Sequence, residues 1–242
     1  MLRGVSTLVI LLTAQAVAQD CKGTLYLTID TGSMKPAEEI AAILRKHKVK
    51  ATFFIANEKT WRGDYTLDAT YAPFWQSLVK EGHAFGSHTW RHWYFRSDAE
   101  PGKVNYIPLS GKPEALGKEE ICRELAQPGD AFFKMTGRRL DPFWRAPGGR
   151  HTARTLELAK ACGYEHVGWS EAGFLGDELP SEKFPNSLLL KRAMNNLRDG
   201  DIMVMHLGIR SRKDPFWPTL DPLLTALEKK GFCFATIPDK RK

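Results

Sequence analysis

The sequence predicts a single α/β domain of barrel type, and three observations lead there. Strand-like and helix-like stretches alternate about seven times, a pattern that implies parallel strands joined by right-handed crossovers. Roughly 220 residues carry the pattern, with no internal repeat and no linker, which suits a closed barrel better than an open sheet. Four polar residues, Asp30, His88, Arg145 and His206, fall at the C-terminal ends of predicted strands. Barrels of this kind gather their chemistry at that end.

Thr24–Asp30 is rich in β-formers and stops at Thr31-Gly32, a turn signal. Pro36 opens a helix with Ile40, Ala41, Ile43 and Leu44 on one face. Residues 51–56 contain Thr52-Phe53-Phe54-Ile55, the continuous apolar run of a fully buried strand. A polar loop with Trp61, Gly63 and Asp64 leads to a helix over 74–80, and His83-Ala84-Phe85 is the end of a third strand. Between His92 and Gly117 the alternation lapses. Such a long connection is functional or disordered, and Trp93, Tyr94, Phe95 and Tyr106 argue for order. A helix over 119–135 is expected to break near Pro128-Gly129. Then follow a strand at 142–146, a helix at 152–162, a strand at 164–170 and a helix at 188–197. The pattern closes with a strand at 201–206, a helix at 222–230 and a last strand at 232–237.

The first residues stand apart from this pattern. Met1-Leu2-Arg3, the apolar run 5–14 and Ala16-Val17-Ala18 read as a secretory signal over 1–18, too short for a membrane span. Its removal would take away Arg3 and lower the formal charge from +7 to +6. The expected product is an exported protein, periplasmic or extracellular, with no transmembrane segment after cleavage. The positive balance suits an acidic polymer such as a cell wall, or plain solubility. No basic run resembles a nucleic-acid arm, so no nucleic-acid partner is expected. Cys21, Cys122, Cys162 and Cys233 have no zinc-binding spacing; in an oxidising compartment they allow two disulfides in three connectivities. Cys21 and Cys233 flank the first and last strands, so closing a barrel would bring them together.

The stretch Gly86-Ser87-His88-Thr89-Trp90-Arg91-His92 organises the functional argument. A helical turn after the strand would face both imidazoles one way, half of a metal site. The ordered set Thr28-Ile29-Asp30-Thr31-Gly32, His88-Thr89-Trp90-Arg91-His92, Arg145-Ala146-Pro147-Gly148 and Met203-Val204-Met205-His206 resembles the polysaccharide deacetylases. These are the NodB-homology proteins of carbohydrate esterase family 4. Ala51-Thr52-Phe53-Phe54 and Glu81-Gly82-His83 add to the likeness, which places a NodB-like domain over 22–238.

The resemblance implies a distorted (β/α)7 barrel and a metal-dependent hydrolase that removes N-acetyl groups from a cell-wall or extracellular glycan. Its substrate would be peptidoglycan or a chitin-like polymer. By position Asp30 matches the general base, His206 the general acid and Arg145 the residue that holds the base. His88 and His92 match ligands of one divalent metal, zinc being the expected ion, with Thr31 and water completing the shell.

Two departures stand out. The family's first motif has a second, metal-binding aspartate where this chain has Thr31, and Glu58 and Asp64 are the candidates to make up the loss. The expected aspartate partner of the acid histidine is ambiguous between Glu171 and Asp177. Two alternatives therefore remain: hydrolysis of another C–N bond, such as a cyclic amide, and glycan binding without catalysis. Trp93-Tyr94-Phe95 and Phe216-Trp217 leave the catalytic face, and at least one ring is expected to line a glycan groove.

Overall fold

The computed structural model describes residues 21–240; the proposed signal sequence lies outside them. Strand β1 (Gly23–Asp30) is followed by α1 (Ala37–Lys46), β2 (Thr52–Ile55), α2 (Ala72–Lys80) and β3 (Ala84–Ser87). An antiparallel meander comes next, β4 (Tyr94–Ala99), β5 (Lys103–Ile107) and β6 (Glu114–Leu116), and then α3 (Lys118–Thr136). The chain continues through β7 (Phe143–Trp144), α4 (Ala153–Ala161), β8 (Glu165–His166) and α5 (Asn186–Asn196). It ends with β9 (Ile202–His206), α6 (Leu220–Lys229), β10 (Phe232–Phe234) and α7 (Ile237–Lys240).

Seven strands form one parallel sheet. Its order runs β9, β1, β2, β3, β7, β8, while β10 pairs with the first three residues of β1. Thr52 Oγ1 accepts a hydrogen bond from the Ile237 amide at 2.9 Å, so the chain leaving β10 meets the start of β2. Beyond β8 the backbone returns to β9: the Ser170 amide donates to Ile202 O (3.0 Å), the Val204 amide to Gly173 O (2.9 Å), and Phe174 bridges Val204. The ring thus closes through an irregular segment, the form a distorted barrel takes. Closure needs a glycine here, because a Cβ on Gly173 would lie 1.9 Å from Ile202 O.

Strands β2, β3 and β7 are buried on both faces, as parallel strands covered by helices are. Leu25, Leu27, Ile29, Phe53 and Phe85 join the core formed with α1, α2, α3 and α6. Phe54, Phe143, Val167 and Ile237 form a separate small cluster with Tyr26 and Ile202. Gly86 leaves room for that cluster; a Cβ there would sit 2.6 Å from the Phe143 ring. No helix among the described residues is long and apolar enough to cross a membrane.

Two expectations change. Helix α3 runs unbroken through Pro128, which is buried. Packing of α3 against α2 and α4 outweighs the roughly 3 kcal/mol cost of an interior proline. The patternless stretch after His92 is the β4–β6 meander, whose Phe95, Val104 and Tyr106 bury themselves against Ile121, Leu125 and Trp144. Both cysteine pairs are joined, Cys21–Cys233 and Cys122–Cys162, with Cα–Cα distances of 5.6 and 5.3 Å.

Candidate active site

Strand register brings the strand-end residues together. Asp30 lies opposite His206 in the parallel pairing of β1 with β9. Ser87 lies opposite Trp144 in the pairing of β3 with β7, so the next residues, His88 and Arg145, are also neighbours. Residues paired in register project to the same face of a sheet. The mouth of the barrel therefore receives a carboxylate, a guanidinium and two imidazoles from four strands.

Arg145 is completely buried, and each of its three side-chain nitrogens donates a hydrogen bond. Its Nη1 donates to Asp30 Oδ1 (2.8 Å) and Thr28 Oγ1 (2.7 Å), its Nε to Val167 O (3.1 Å) and its Nη2 to Gly168 O (2.8 Å). The guanidinium also lies 4.2 Å from the Phe54 ring centroid. Burial works to raise the Asp30 pKa, but the Arg145 guanidinium, with His88 and His206, outweighs it and holds this carboxyl below its ordinary value. Asp30 is thus ionised at neutral pH. One oxygen faces Arg145, and Oδ2 stands 3.5 Å from His88 Nε2, beyond ordinary hydrogen-bond length.

His88 Nδ1 lies 2.9 Å from the Arg145 carbonyl. A carbonyl only accepts, so Nδ1 carries the proton and Nε2 keeps its lone pair. Burial, aided by His92, pushes its pKa down to about 4 against the pull of Asp30, so the ring is neutral. The His92 ring sits 4.8 Å away, centroid to centroid. The approach is not the helical turn expected. Thr89 and His92 both adopt positive φ, 64° and 57°, a region that non-glycine residues enter only when surroundings compel it.

Those surroundings centre on Glu124, a buried side chain of α3 without a signal in the sequence. Its Oε2 accepts from the Trp90 and Arg91 amides (3.2 and 3.0 Å) and from Tyr106 OH (3.0 Å), and its Oε1 accepts from Arg91 Nε (2.5 Å). Thr89 Oγ1 accepts from the His92 amide and, since the Tyr106 proton goes to Glu124, donates its own to Tyr106 OH (3.0 Å). Helix α3 and the meander thereby fix the turn between the two histidines.

His206 is held by Asp177, resolving the ambiguity left by the sequence. The Asp177 carboxylate accepts from the His206 amide (2.8 Å) and lies 3.1 and 3.2 Å from His206 Nδ1. Burial opposes protonation, but the Asp177 charge and hydrogen bond dominate and lift the His206 pKa to about 10. His206 is therefore an imidazolium at neutral pH, and its Nε2 has no hydrogen bond among the described residues, the Glu178 carboxylate standing 4.0 Å away. Both residues line a cavity of about 190 Å³ with Phe216 and Trp217.

Thr31 is buried, and its Oγ1 accepts from the Ala56 amide at 3.1 Å, bracing the ends of β1 and β2. Asp64 is committed to its own loop, accepting from Thr60 and from Thr70 at 2.7 Å. Glu58 Oε1 lies 3.5 Å from His92 Nδ1. Among the described residues no three His, Cys, Asp or Glu side chains form a preassembled metal cluster. The imidazole pair fits zinc all the same: His88 is neutral, its tautomer is fixed by a carbonyl, and its free nitrogen faces the carboxylate.

The polysaccharide deacetylase family model matches residues 18–167. A peptidoglycan-N-acetylmuramic acid deacetylase of Bacillus subtilis is 26% identical over 222 residues, covering 89% of this chain and 70% of its own. A chitooligosaccharide deacetylase of Azorhizobium caulinodans is 26% identical over 230 residues, covering 90% and 94%. Among solved structures, a carbohydrate esterase family 4 pseudoenzyme from Bacillus anthracis superposes with a TM-score of 0.67 at 20% identity, covering 90% of this chain and 65% of that one. A mutant of that pseudoenzyme is described as having restored activity. The family model covers more than half of the chain, and the protein belongs to the polysaccharide deacetylase family.

Proposed function

We propose that this chain is an exported de-N-acetylase of an N-acetylated glycan, of the peptidoglycan or chitin type. One observation carries the reading. Asp30 and His206 stand in register on adjacent strands, one ionised and one protonated, each held by its own buried partner. A base and an acid side by side in opposite protonation states are what amide hydrolysis requires.

Water attacks an amide negligibly at neutral pH without help. Asp30 Oδ2, free of Arg145, accepts the proton of the attacking water. Arg145 keeps the carboxylate aimed and charged. His206, anchored through Nδ1, delivers its proton from Nε2 to the departing nitrogen as the C–N bond breaks. The products are acetate and an amine on the sugar. His88 and His92 would hold a divalent ion, which when bound supplies Lewis-acid polarisation of the carbonyl oxygen. The two disulfides are consistent with export to an oxidising compartment. Trp217 and the buried Phe216 line the cavity beside His206 and Trp93 lines a second one beside His92, whereas Phe95 is a core side chain.

Glycan binding without catalysis is the second reading. It is favoured by Thr31, whose neutral hydroxyl accepts from the Ala56 amide where the family's first motif would place a carboxylate. Acetate release from chitooligosaccharide and from peptidoglycan, measured with the metal content of the protein, separates the two. Zinc near one equivalent with acetate release supports hydrolysis; tight glycan binding with neither supports the second reading.

A further inference from the structure

Glu58 is a carboxylate with an unmet need. Its Oε2 is buried and has no hydrogen-bond partner. A buried anionic oxygen without a donor is costly, so a cation or a strong donor belongs beside it. Two arginines of the same cleft are engaged elsewhere. Arg91 is paired with Glu124 and Glu114, and Arg210 donates to the Lys59 carbonyl.

The other oxygen lies 3.5 Å from His92 Nδ1. That gap is long for a hydrogen bond. It is close to the ~3.3 Å separating two donors on one tetrahedral zinc with bonds of about 2.0 Å. The segment bearing Glu58 is also fixed. The Glu58 amide donates to Thr66 Oγ1 (3.1 Å), the Thr66 amide donates back to Glu58 O (2.9 Å), and Thr66 Oγ1 donates to Ala56 O. Glu58 and Asn57 border the cleft of about 420 Å³ beside His92.

We infer that Glu58 supplies the third protein donor to the metal held by His88 and His92, replacing the carboxylate that Thr31 does not provide. The charge has moved from the end of β1 to the loop after β2. The inference rests on the reading of His88 and His92 as a metal pair, and its test separates the two.

Zinc affinity is measured by competition with a chromophoric chelator, and zinc content by elemental analysis after dialysis. The variants are Glu58→Gln, His88→Ala, Thr31→Asp and the double variant Thr31→Asp/Glu58→Gln, each checked for folding by thermal melting. Glu58→Gln keeps the side-chain shape and is expected to weaken zinc binding at least about tenfold. Thr31→Asp in that background is expected to restore it. A crystal of the zinc-loaded wild type is expected to show a Glu58 oxygen in the coordination shell. Unchanged affinity in Glu58→Gln while His88→Ala loses zinc would overturn the role of Glu58 alone. A zinc shell with Glu58 bonded only to His92 would do the same. Unchanged zinc in His88→Ala would instead remove the metal pair itself.

Discussion

Replacing Asp177 by asparagine removes the charge that keeps His206 protonated while leaving a side chain of the same shape. Unit charges 3.1 Å apart, at an effective dielectric near 20, attract by about 5 kcal/mol, or roughly four pKa units before burial takes its share. This matches a His206 lifted from its ordinary 6.5 to about 10 despite its burial. With asparagine the histidine is expected to fall back to its ordinary value or below it. At pH 8 only a few per cent of it would then be protonated, and kcat/KM should drop about thirtyfold. In a profile of acetate release from pH 5 to 10.5 with metal saturating, the basic limb should shift down by about three units. The linkage has a sign as well. A raised histidine pKa adds stability that is full below about 6.5 and lost as the pH climbs to about 10. The Tm advantage of wild type over Asp177→Asn should therefore shrink as the pH rises. A basic limb at the same pH in both proteins would refute the assignment of His206 as the acid.

Three further outcomes follow from the same geometry. Arg145→Met leaves Asp30 buried without its cation, and chemical denaturation should show a loss of about 3–5 kcal/mol; near-wild-type stability would mean that the pair is not what anchors β1 to β7. In the chain-entropy account, opening Cys21–Cys233 (separation 212) should cost about 5 kcal/mol and opening Cys122–Cys162 (separation 40) about 4. Cys→Ser pairs compared by denaturant titration check the order, and a larger loss for the shorter loop would contradict it. Trp217→Ala should raise KM for a glycan oligomer more than for a monosaccharide, since the ring borders the cavity at His206; a large fall in Tm with unchanged length preference would place it in the core instead.

What the sequence made legible was local. Asp30, His88, Arg145 and His206 could be found because each closes a short apolar strand, and in a parallel barrel that position points into the mouth. The pairing of Cys21 with Cys233 followed from the same closure. Asp177 and Glu124 were not distinguishable from other acidic residues, because their roles depend on which strand end or turn packs against them. The turn between the histidines was misread for a related reason. Thr89 and His92 take left-handed conformations that neither residue type announces, and only the Glu124–Tyr106 network compels them. The meander was hidden because only one face of each strand is buried: exposed Arg96 and Ser97 follow Phe95, and exposed Lys103 precedes Val104. Proline at 128 gave a break signal that tertiary packing overrode.

The central claim is that Asp30 and His206 form a working acid–base pair in an amide hydrolase. Its most direct test is acetate release from peptidoglycan and chitooligosaccharide by zinc-saturated wild type, beside Asp30→Asn with its zinc content verified. The account predicts steady release by the wild type and a loss on the order of a hundredfold or more in the variant. A wild type that binds zinc and glycan yet releases no acetate, or an Asp30→Asn variant that works at the wild-type rate, would contradict it.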